Sequence, residues 1–306
     1  MRKRIKNNRL KDINIKLIKI LVVAGGWSDE REVSLMSGKN VFSCLKKNKF
    51  NVKFLDLKKN NFQKIINYKP DLIFNSLHGE FGEDGGLSSF AKKNNINITH
   101  SGAITSALCF NKRLLKNFLK KELDILSPKE INHKNQNIFP VISKPNWGGS
   151  SKGIKFLNNI GELRKKINNN QNLIEEIIYG KELTVTVFEY NNEIKALGVT
   201  EIEFNNKHYD YIAKYTKNKS FHFLPARISK HQYKFLMNIS KQIFCTCNCK
   251  GIARLDYIMS NKNDKIFFLE MNTHPGLTKL SLVPEQANYK NFSYLTLLSQ
   301  IINSSL

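Results

Sequence analysis

Two strand-like runs near the C-terminus, 251–259 and 265–271, flank the short polar segment 260–264. Apolar runs of this length on either side of a polar segment predict a β-hairpin, centred here near Asn263. A hairpin determines which side chains lie opposite one another, so it constrains the fold more than any other stretch of the chain.

The predicted hairpin brings four polar side chains onto one face. Side chains alternate between the faces of a strand, so Arg254 and Asp256 share a face, as do Glu270 and Asn272. A turn near Asn263 then places Asp256 opposite Glu270 and Arg254 opposite Asn272. Two carboxylates and an amide oxygen suit Mg²⁺, which commonly takes one or two carboxylates plus substrate phosphates. The alternative is a solvated polar face on an antiparallel pair.

The residues after the hairpin form a turn-rich loop that carries a longer pattern. The whole stretch 254–284 reads R-x-D, then E-x-N-T-x-P-G-L-T-x-x-S-L-x-P. It resembles the metal-and-substrate segment of the ATP-grasp ligases, and within them the D-alanine–D-alanine ligase family. The resemblance implies that Asp256, Glu270 and Asn272 bind metal. It also implies that Arg254 and the backbone near Gly276 hold the reacting carbonyl oxygen, and that Ser281 and Leu282 receive the second substrate's carboxylate.

Length and composition are those of an ordinary enzyme of two or three domains. The chain has 306 residues, 41% hydrophobic and 24% charged. The net charge of +24 raises the possibility of nucleic-acid binding. However, the lysines are spread through the chain and accompany abundant asparagine and isoleucine, which favours a general compositional bias. Residues 1–17 are basic and followed by an apolar run too short for a signal peptide, so we expect a flexible leader on a cytoplasmic protein.

Three of the five cysteines lie close together, at Cys245, Cys247 and Cys249. Their spacing differs from the C-x-x-C of zinc sites, although a soft-metal site is the alternative. We expect a helix over 232–248 and thiols that act as small buried apolar residues.

The N-terminal part begins with a buried-strand run, 18–24, then Gly25-Gly26 and a helix to about Lys47. Asp29 and Glu32 have capping-box spacing. A dinucleotide site also begins this way, but G-x-G-x-x-G is missing. The stretch 25–38 matches the ligase signature G-G-x-S-x-E-R-x-V-S-L-x-S-G, which assigns Glu30 to the first D-alanine's ammonium. The alternative for Glu30 is stabilisation of the helix dipole.

Two further motifs follow. The stretch 78–85 matches H-G-x-x-G-E-D-G, which places His78 beside the first substrate's carboxylate; a structural histidine is the alternative. A single helix is expected through 107–119, and its Lys112 matches the family's phosphate-binding lysine. Asn111 replaces the usual aspartate before it.

The next stretch has the pattern of a nucleotide site. Strand 139–144 ends in Lys144, and the Gly- and Ser-rich segment 146–153 is a hairpin tip able to wrap phosphates. The resemblance assigns Lys144, Ser150 and Ser151 to this phosphate loop, with Ser150 also catalytic. Lys152 stands where the family has an aliphatic residue.

The adenine and lid segments come next along the chain. The resemblance assigns Glu175 to adenine and Glu182 to the ribose, while a solvated hinge between domains is the alternative for Glu176. Two antiparallel strands are expected over 182–203. The stretch 209–215 reads Y-D-Y-x-A-K-Y, as in the family's lid, which assigns Lys214 to the γ-phosphate and Tyr215 to closure over the substrates.

These features predict an α/β (α+β overall) three-domain ATP-grasp fold, with a parallel N-terminal α/β domain followed by two domains that clasp ATP between antiparallel sheets. The predicted boundaries are 18–100, 101–176 and 177–306. The resemblance implies ligation of two D-alanines with ATP and two Mg²⁺ or Mn²⁺ ions, in a homodimer without nucleic-acid or membrane partners. A D-lactate or D-serine ligase of this fold and, more distantly, a nucleic-acid-binding protein are the alternatives.

Overall fold

The computed structural model describes residues 15–131, 139–149, 153–167, 171–204 and 220–306. Some predicted residues lie outside the described part of the chain. They are Ser150, Ser151, Lys214 and Tyr215, together with most of the leader.

The first sheet is parallel, as predicted. Its strands are β1 (Ile20–Gly25), β2 (Val52–Leu57), β3 (Leu72–Asn75) and β4 (Asn97–Ile98), in the order β2-β1-β3-β4. Helices α1 (Arg31–Lys47), α2 (Gln63–Tyr68) and α3 (Gly86–Lys93) connect them. Every residue of β1 is buried, because helices cover both faces of such a sheet.

The predicted capping box at the start of α1 is wrong. Glu30 is the N-cap, and no side chain caps the helix. The hydroxyl of Ser28 instead accepts a bond from the Glu30 backbone N–H (3.2 Å) and donates to the carbonyl of His78 (2.6 Å). These two bonds of Ser28 link the turn before α1 to the segment that follows β3, and they fix the position of Glu30.

The single helix expected through 107–119 is two helices, α4 (Ala103–Phe110) and α5 (Lys112–Leu123). Asn111 between them is extended, and its Oδ1 accepts a bond from the Leu114 N–H at 3.0 Å. Asparagine is a strong N-cap, so it breaks the helix and starts a new one at Lys112. The substitution of the family's aspartate thus preserves a cap.

The second sheet is small and antiparallel. Its strands are β5 (Val141–Pro145), β6 (Lys155–Leu157) and β7 (Asn172–Glu176), in the order β6-β5-β7, with α6 (Ile160–Ile167) after β6. Buried apolar residues form its own core, among them Val141, Leu157 and Leu163.

The third sheet has five antiparallel strands in the order β10-β9-β8-β11-β12. They are β8 (Gly180–Tyr190), β9 (Glu193–Phe204), β10 (Ser220–Phe223), β11 (Ile252–Ser260) and β12 (Ile266–Asn272). The remaining helices are α7 (Lys230–Thr246), α8 (Leu282–Tyr289) and α9 (Tyr294–Asn303). Both predicted hairpins, 182–203 and 251–271, are confirmed.

The two faces of the third sheet have different neighbours. Apolar residues of one face, including Val185 and Leu255, pack with Leu236 and Phe244 of α7. Helices α8 and α9 belong to another core that also contains Ile20 of β1 and other residues of the first sheet. The polar face of β11 and β12 therefore lies where the parts of the chain meet. No described helix is long and apolar enough to cross a membrane.

Candidate functional site

A cavity of about 560 Å³ lies between the two antiparallel sheets. Its size falls within the range typical of small-molecule sites. It is lined from the second sheet, from the third sheet and from α5. The predicted residues that line it are Lys112, Lys144, Glu175, Glu182, Arg254, Asp256, Glu270 and Leu282.

The register of β11 and β12 is the predicted one, with Asp256 opposite Glu270 and Arg254 opposite Asn272. Arg254 and Asp256 form a two-point pair, Nε to Oδ1 at 2.9 Å and Nη2 to Oδ2 at 2.7 Å. Thr184 on the neighbouring β8 donates its hydroxyl to Asp256 Oδ1 at 2.6 Å. The Asp256 carboxylate is thus held from two sides in one orientation.

Glu270 and Asn272 are also held by other elements. Lys112 at the start of α5 lies 3.2 Å from Glu270 Oε2, and it also donates to the carbonyl of Gly148. Asn272 Nδ2 lies 3.3 Å from Glu83 Oε1, and its Oδ1 accepts the backbone N–H of His274 at 2.7 Å. The structure brings together all the predicted metal ligands.

A second cavity, of about 50 Å³, adjoins the first. Both cavities are lined by Lys112, Gly148, Gly149, Arg254 and Glu270. The other predicted residues in its wall are Glu30, His78, Asn272 and Gly276. The predicted first-substrate residues and the predicted catalytic arginine therefore share one small space next to the large cavity.

His78 has partners on both ring nitrogens. Nδ1 lies 3.3 Å from Glu83 Oε1, and Nε2 lies 3.3 Å from the Ser37 hydroxyl. The ring is 6% exposed and the Glu83 residue 5%, so this pair orients the imidazole inside the wall of the small cavity. The structural alternative for His78 is compatible with these contacts, because the bond to Ser37 also joins the loop after β3 to α1.

A lysine pair surrounds Glu175 beneath the large cavity. Lys116 contacts Oε1, and Lys144 Nζ lies 2.6 Å from Oε2. Burial alone would raise the pKa of Glu175, but the charges of Lys144 and Lys116 outweigh it and lower the pKa. Burial, assisted by repulsion from Lys144, lowers the pKa of Lys116 to about 8.

Ser281 lies next to the site and lines neither cavity. It is the N-cap of α8, and its hydroxyl bonds with the Thr278 hydroxyl at 2.8 Å. A Cβ at Gly276 would lie 2.9 Å from Ser281 Oγ, so only glycine fits here without a shift. Leu282, one residue on, reaches the large cavity.

Sequence reasoning missed Lys116, Glu83 and Thr184. Lys116 lies four residues after Lys112, hence on the same face of α5, and this spacing was a usable signal. Glu83 stands inside the matched motif 78–85, so the motif contained it without assigning it a role. Nothing in the sequence signals Thr184, because its contact with Asp256 depends on the pairing of β8 with β11.

Three oxygen-bearing side chains of the site form a candidate donor set for a metal ion. In the part of the chain that the structure describes, no group of three or more His, Cys, Asp or Glu side chains is arranged to hold one. Asp256, Glu270 and Asn272 supply two carboxylates and an amide oxygen on adjacent strands. This set fits Mg²⁺, which is bound with few protein ligands and completes its shell with phosphate oxygens and water.

Similarity to known proteins covers nearly the whole chain. Residues 115–303 match the family described as the D-Ala–D-Ala ligase C-terminus. The D-alanine–D-alanine ligase of Pelagibacter ubique is 39% identical over 305 residues, covering 94% of this chain and 98% of the relative. That of Rickettsia canadensis is 39% identical over 298 residues, covering 94% and 83%.

Solved structures agree. The Bacillus anthracis D-alanine–D-alanine ligase complexed with ATP superposes with a TM-score of 0.79 at 26% identity, over 94% of this chain and 97% of that one. The VanG D-Ala:D-Ser ligase of Enterococcus faecalis gives 0.80 at 26% identity, over 95% and 100%. These matches confirm the predicted ATP-grasp fold class. Together with the curated relatives they establish that the chain belongs to the D-alanine–D-alanine ligase family.

Proposed function

We propose that this protein joins two D-alanine molecules into D-alanyl-D-alanine, using ATP, to supply a peptidoglycan precursor. A carboxylate is a poor electrophile, so the first D-alanine's carboxylate attacks the γ-phosphorus of ATP and ADP leaves. The amine of the second D-alanine then attacks the acyl phosphate carbonyl. Phosphate departs, and the amine loses a proton.

The observation that supports this most is that two cavities meet at Lys112, Arg254 and Glu270. A large cavity accommodates the nucleotide, and the small one next to it accommodates an amino acid. The phosphate end of the nucleotide would then face the carboxylate of the first D-alanine across these shared residues. Such an arrangement aligns the two reacting groups before reaction.

The charged residues have separate roles in this proposal. Lys112 and Lys144 bind phosphate oxygens, and Lys144 can leave Glu175 to do so because Lys116 still compensates that carboxylate. Glu175 contacts adenine and Glu182 the ribose. Asp256, Glu270 and Asn272 would hold Mg²⁺, or Mn²⁺, which when bound neutralises the charge of the transferring phosphoryl group. Ser151 and Lys214 are proposed ATP contacts by resemblance.

The remaining residues act on the amino acids. Glu30 binds the first D-alanine's ammonium, and His78 lies near its carboxylate. Arg254, with the backbone N–H near Gly276, holds the carbonyl oxygen as negative charge builds on it; such donors are typically worth about 3–4 kcal/mol. Ser281 and Leu282 receive the second carboxylate. Ser150 and Tyr215 are proposed to link with Glu30 when the lid closes and excludes water.

The test is phosphate release by the purified protein with ATP and Mg²⁺ against D-alanine, L-alanine, D-serine and D-lactate, with products resolved by mass. We expect release that depends on D-alanine, together with the D-alanyl-D-alanine mass. Equal release without amino acid, or a product only with L-alanine, would contradict the proposal.

Simple assays can test the other candidate functions. The likeness to the D-Ala:D-Ser ligase supports a D-serine variant, which a mixed D-alanine and D-serine reaction would reveal as the heterodipeptide. D-lactate is tested in the same way. The net charge of +24 motivates the nucleic-acid alternative, for which salt-dependent DNA retention without ATP turnover is the signature.

We also propose that the protein works in the cytoplasm as a homodimer, with domains 18–100, 101–176 and 177–306. Sedimentation would test the dimer. Limited proteolysis would test the boundaries, since cleavage favours exposed segments between domains.

A further inference from the structure

The pairing of β8 with β9 is interrupted in the middle of the third sheet. Val185 pairs with Val199, but Val187 pairs with Ala196, so the register shifts around Thr186. An irregularity of this kind leaves backbone groups without a partner in the sheet. Buried backbone groups need a partner from elsewhere, because an unsatisfied one is costly.

The side chain of Gln286 supplies those partners. Its Oε1 accepts the Thr186 N–H at 2.8 Å, and its Nε2 donates to the Thr184 carbonyl at 3.1 Å and to the Thr200 hydroxyl at 2.9 Å. Gln286 is fully buried. The Gln286 carboxamide therefore makes three hydrogen bonds to the interrupted segment of β8 and β9.

This contact joins two parts of the proposed site. On one side, Gln286 lies in α8 one turn after Leu282, the residue of that helix that lines the large cavity. On the other side, it fixes the backbone of Thr184, whose hydroxyl holds Asp256 Oδ1 at 2.6 Å. The path from α8 to the partly exposed Asp256 carboxylate therefore runs through the buried Thr184, which bonds Gln286 through its backbone carbonyl and Asp256 through its hydroxyl.

We propose that Gln286 is a positioning residue that couples the first turn of α8, where the second substrate's carboxylate binds, to the Asp256 carboxylate. The inference rests on the proposed function for the identity of those two ligands. An apolar side chain at this position removes the Gln286 bonds to the Thr186 N–H and to the Thr184 carbonyl. The interrupted segment then rearranges, and Asp256 loses its fixed orientation.

The test is Gln286→Met, which keeps the length of the side chain and removes its hydrogen bonds. Mn²⁺ binding is measured by the electron spin resonance of free Mn²⁺ with a non-hydrolysable ATP analogue, and steady-state kinetics give the KM for the second D-alanine. We expect Mn²⁺ affinity to fall about tenfold and that KM to rise several-fold, since residues that orient metal ligands typically have effects of this size. Gln286→Glu, which keeps the acceptor for Thr186, should lie between wild type and Gln286→Met.

The matched control is Ser240→Ala. It also removes a buried hydrogen bond against the third sheet, between the Ser240 hydroxyl and the Tyr257 hydroxyl at 2.8 Å, but from α7 on the other face. We expect a drop in Tm with unchanged Mn²⁺ affinity and unchanged KM. The control thereby distinguishes loss of the coupling between Gln286 and Asp256 from a general loss of stability.

A folded Gln286→Met protein with wild-type Mn²⁺ affinity and wild-type KM would overturn the inference. If that variant does not fold, Thr200→Val removes only one of the three contacts and should shift both quantities in the same direction, by about twofold. No shift in Thr200→Val would equally overturn it. A wild type that makes no dipeptide contradicts the proposed function instead, and the Mn²⁺ comparison still tests the link from Gln286 to Asp256.

Discussion

At the scale of single residues, the site consists of charges that hold one another in place before any ligand binds. Asp256 is paired with Arg254, and Glu270 with Lys112. Each carboxylate keeps a compensating cation, because a buried charge without one would be costly. In the proposed function, a metal ion would therefore meet preoriented oxygens, and a phosphate group would meet preoriented ammonium groups.

Glu270→Gln tests the proposed metal site. The amide keeps the size of the side chain but removes its negative charge, so the fold should survive. The rate of dipeptide formation should fall about a hundredfold, the upper end of the range for groups that support metal ligands. The coupled phosphate assay measures this. Glu193→Gln, on an exposed glutamate that pairs with Lys195 at 3.3 Å, is the control and should retain full activity.

Near-normal phosphate release from folded Glu270→Gln would reject Glu270 as a ligand. Asn272→Asp is a milder companion change. It keeps an oxygen at the position and adds a charge, so partial activity is expected.

At the scale of elements, short contacts between loops and helices set the geometry. The loop after β4 and the loop after β12 meet through His100 and His274, whose rings stack 4.9 Å apart. His100 has φ of 72° and bonds to the Thr99 hydroxyl through Nδ1 at 2.8 Å. This stack fastens the first sheet to the strand that carries Glu270.

His100→Phe should flatten the loss of stability in acid. Burial lowers the pKa of His100 to about 3, so between about pH 6.5 and 3 the unfolded chain takes up a proton that the folded protein does not. Stability therefore falls as pH falls through this window. Without the imidazole, the drop in unfolding free energy from pH 6.5 to 4.5 should shrink by up to about 2 kcal/mol.

Urea unfolding at both pH values measures this drop. The exposed His231→Gln serves as the control and should follow the wild type. The same pH dependence in His100→Phe and in wild type would show that His100 is not the responsible group.

The cysteines near the end of α7 behave as core residues at two of their three positions. Cys247 and Cys249 are buried in the same core as Cys109, whereas Cys245 is exposed, contrary to the expectation of a buried run. Hydrogen bonding to Cys247 and Cys249, together with burial, raises the pKa of the Cys109 thiol. The raised pKa keeps the Cys109 thiol protonated near neutral pH, which disfavours metal binding by that thiol.

Cys245→Ala combined with Cys247→Ser should leave turnover and metal content unchanged. We expect only a loss of stability, about 1–3 kcal/mol, because a hydroxyl replaces a buried thiol. Elemental analysis and thermal unfolding measure the two quantities. Stoichiometric zinc in the wild type that disappears in the double variant would contradict this prediction.

At the scale of the whole molecule, the large cavity, which is the proposed nucleotide site, lies between two separate sheets. A ligand that fills it should therefore hold the two sheets together. A non-hydrolysable ATP analogue with Mg²⁺, at about 100 times its Kd, should raise the free energy of unfolding by about 2.7 kcal/mol. Lys144→Met should lose most of this gain at the same concentration, since Lys144 lies in the cavity wall.

Thermal unfolding with and without the analogue gives the comparison. Lys155→Met, on an exposed lysine of the neighbouring β6, is the control and should keep the full gain. Equal stabilisation of Lys144→Met and wild type would argue against Lys144 as a phosphate contact.

The sequence by itself determined both antiparallel hairpins and the order of the motifs along the chain. Alternation along the strands and the short polar turn predicted that Asp256 lies opposite Glu270, although a register shift between Asp256 and Tyr257 changes the pairing nearer the turn. Motif matches placed Glu30, His78 and Lys112, and the structure brings them to adjoining cavities. The parallel first sheet was likewise predictable, because strands and helices alternate there.

The tertiary structure alone decided the contacts between distant parts of the chain. Lys116 with Glu175, Thr184 with Asp256 and Gln286 with Thr186 each join elements that are far apart in sequence. No local periodicity encodes such a pair, because it depends on how sheets and helices pack and on which buried groups need partners. Asn111 lies between what the local sequence predicts and what only the tertiary structure shows. Its capping role is local chemistry, yet the helix pattern around it predicted one continuous helix.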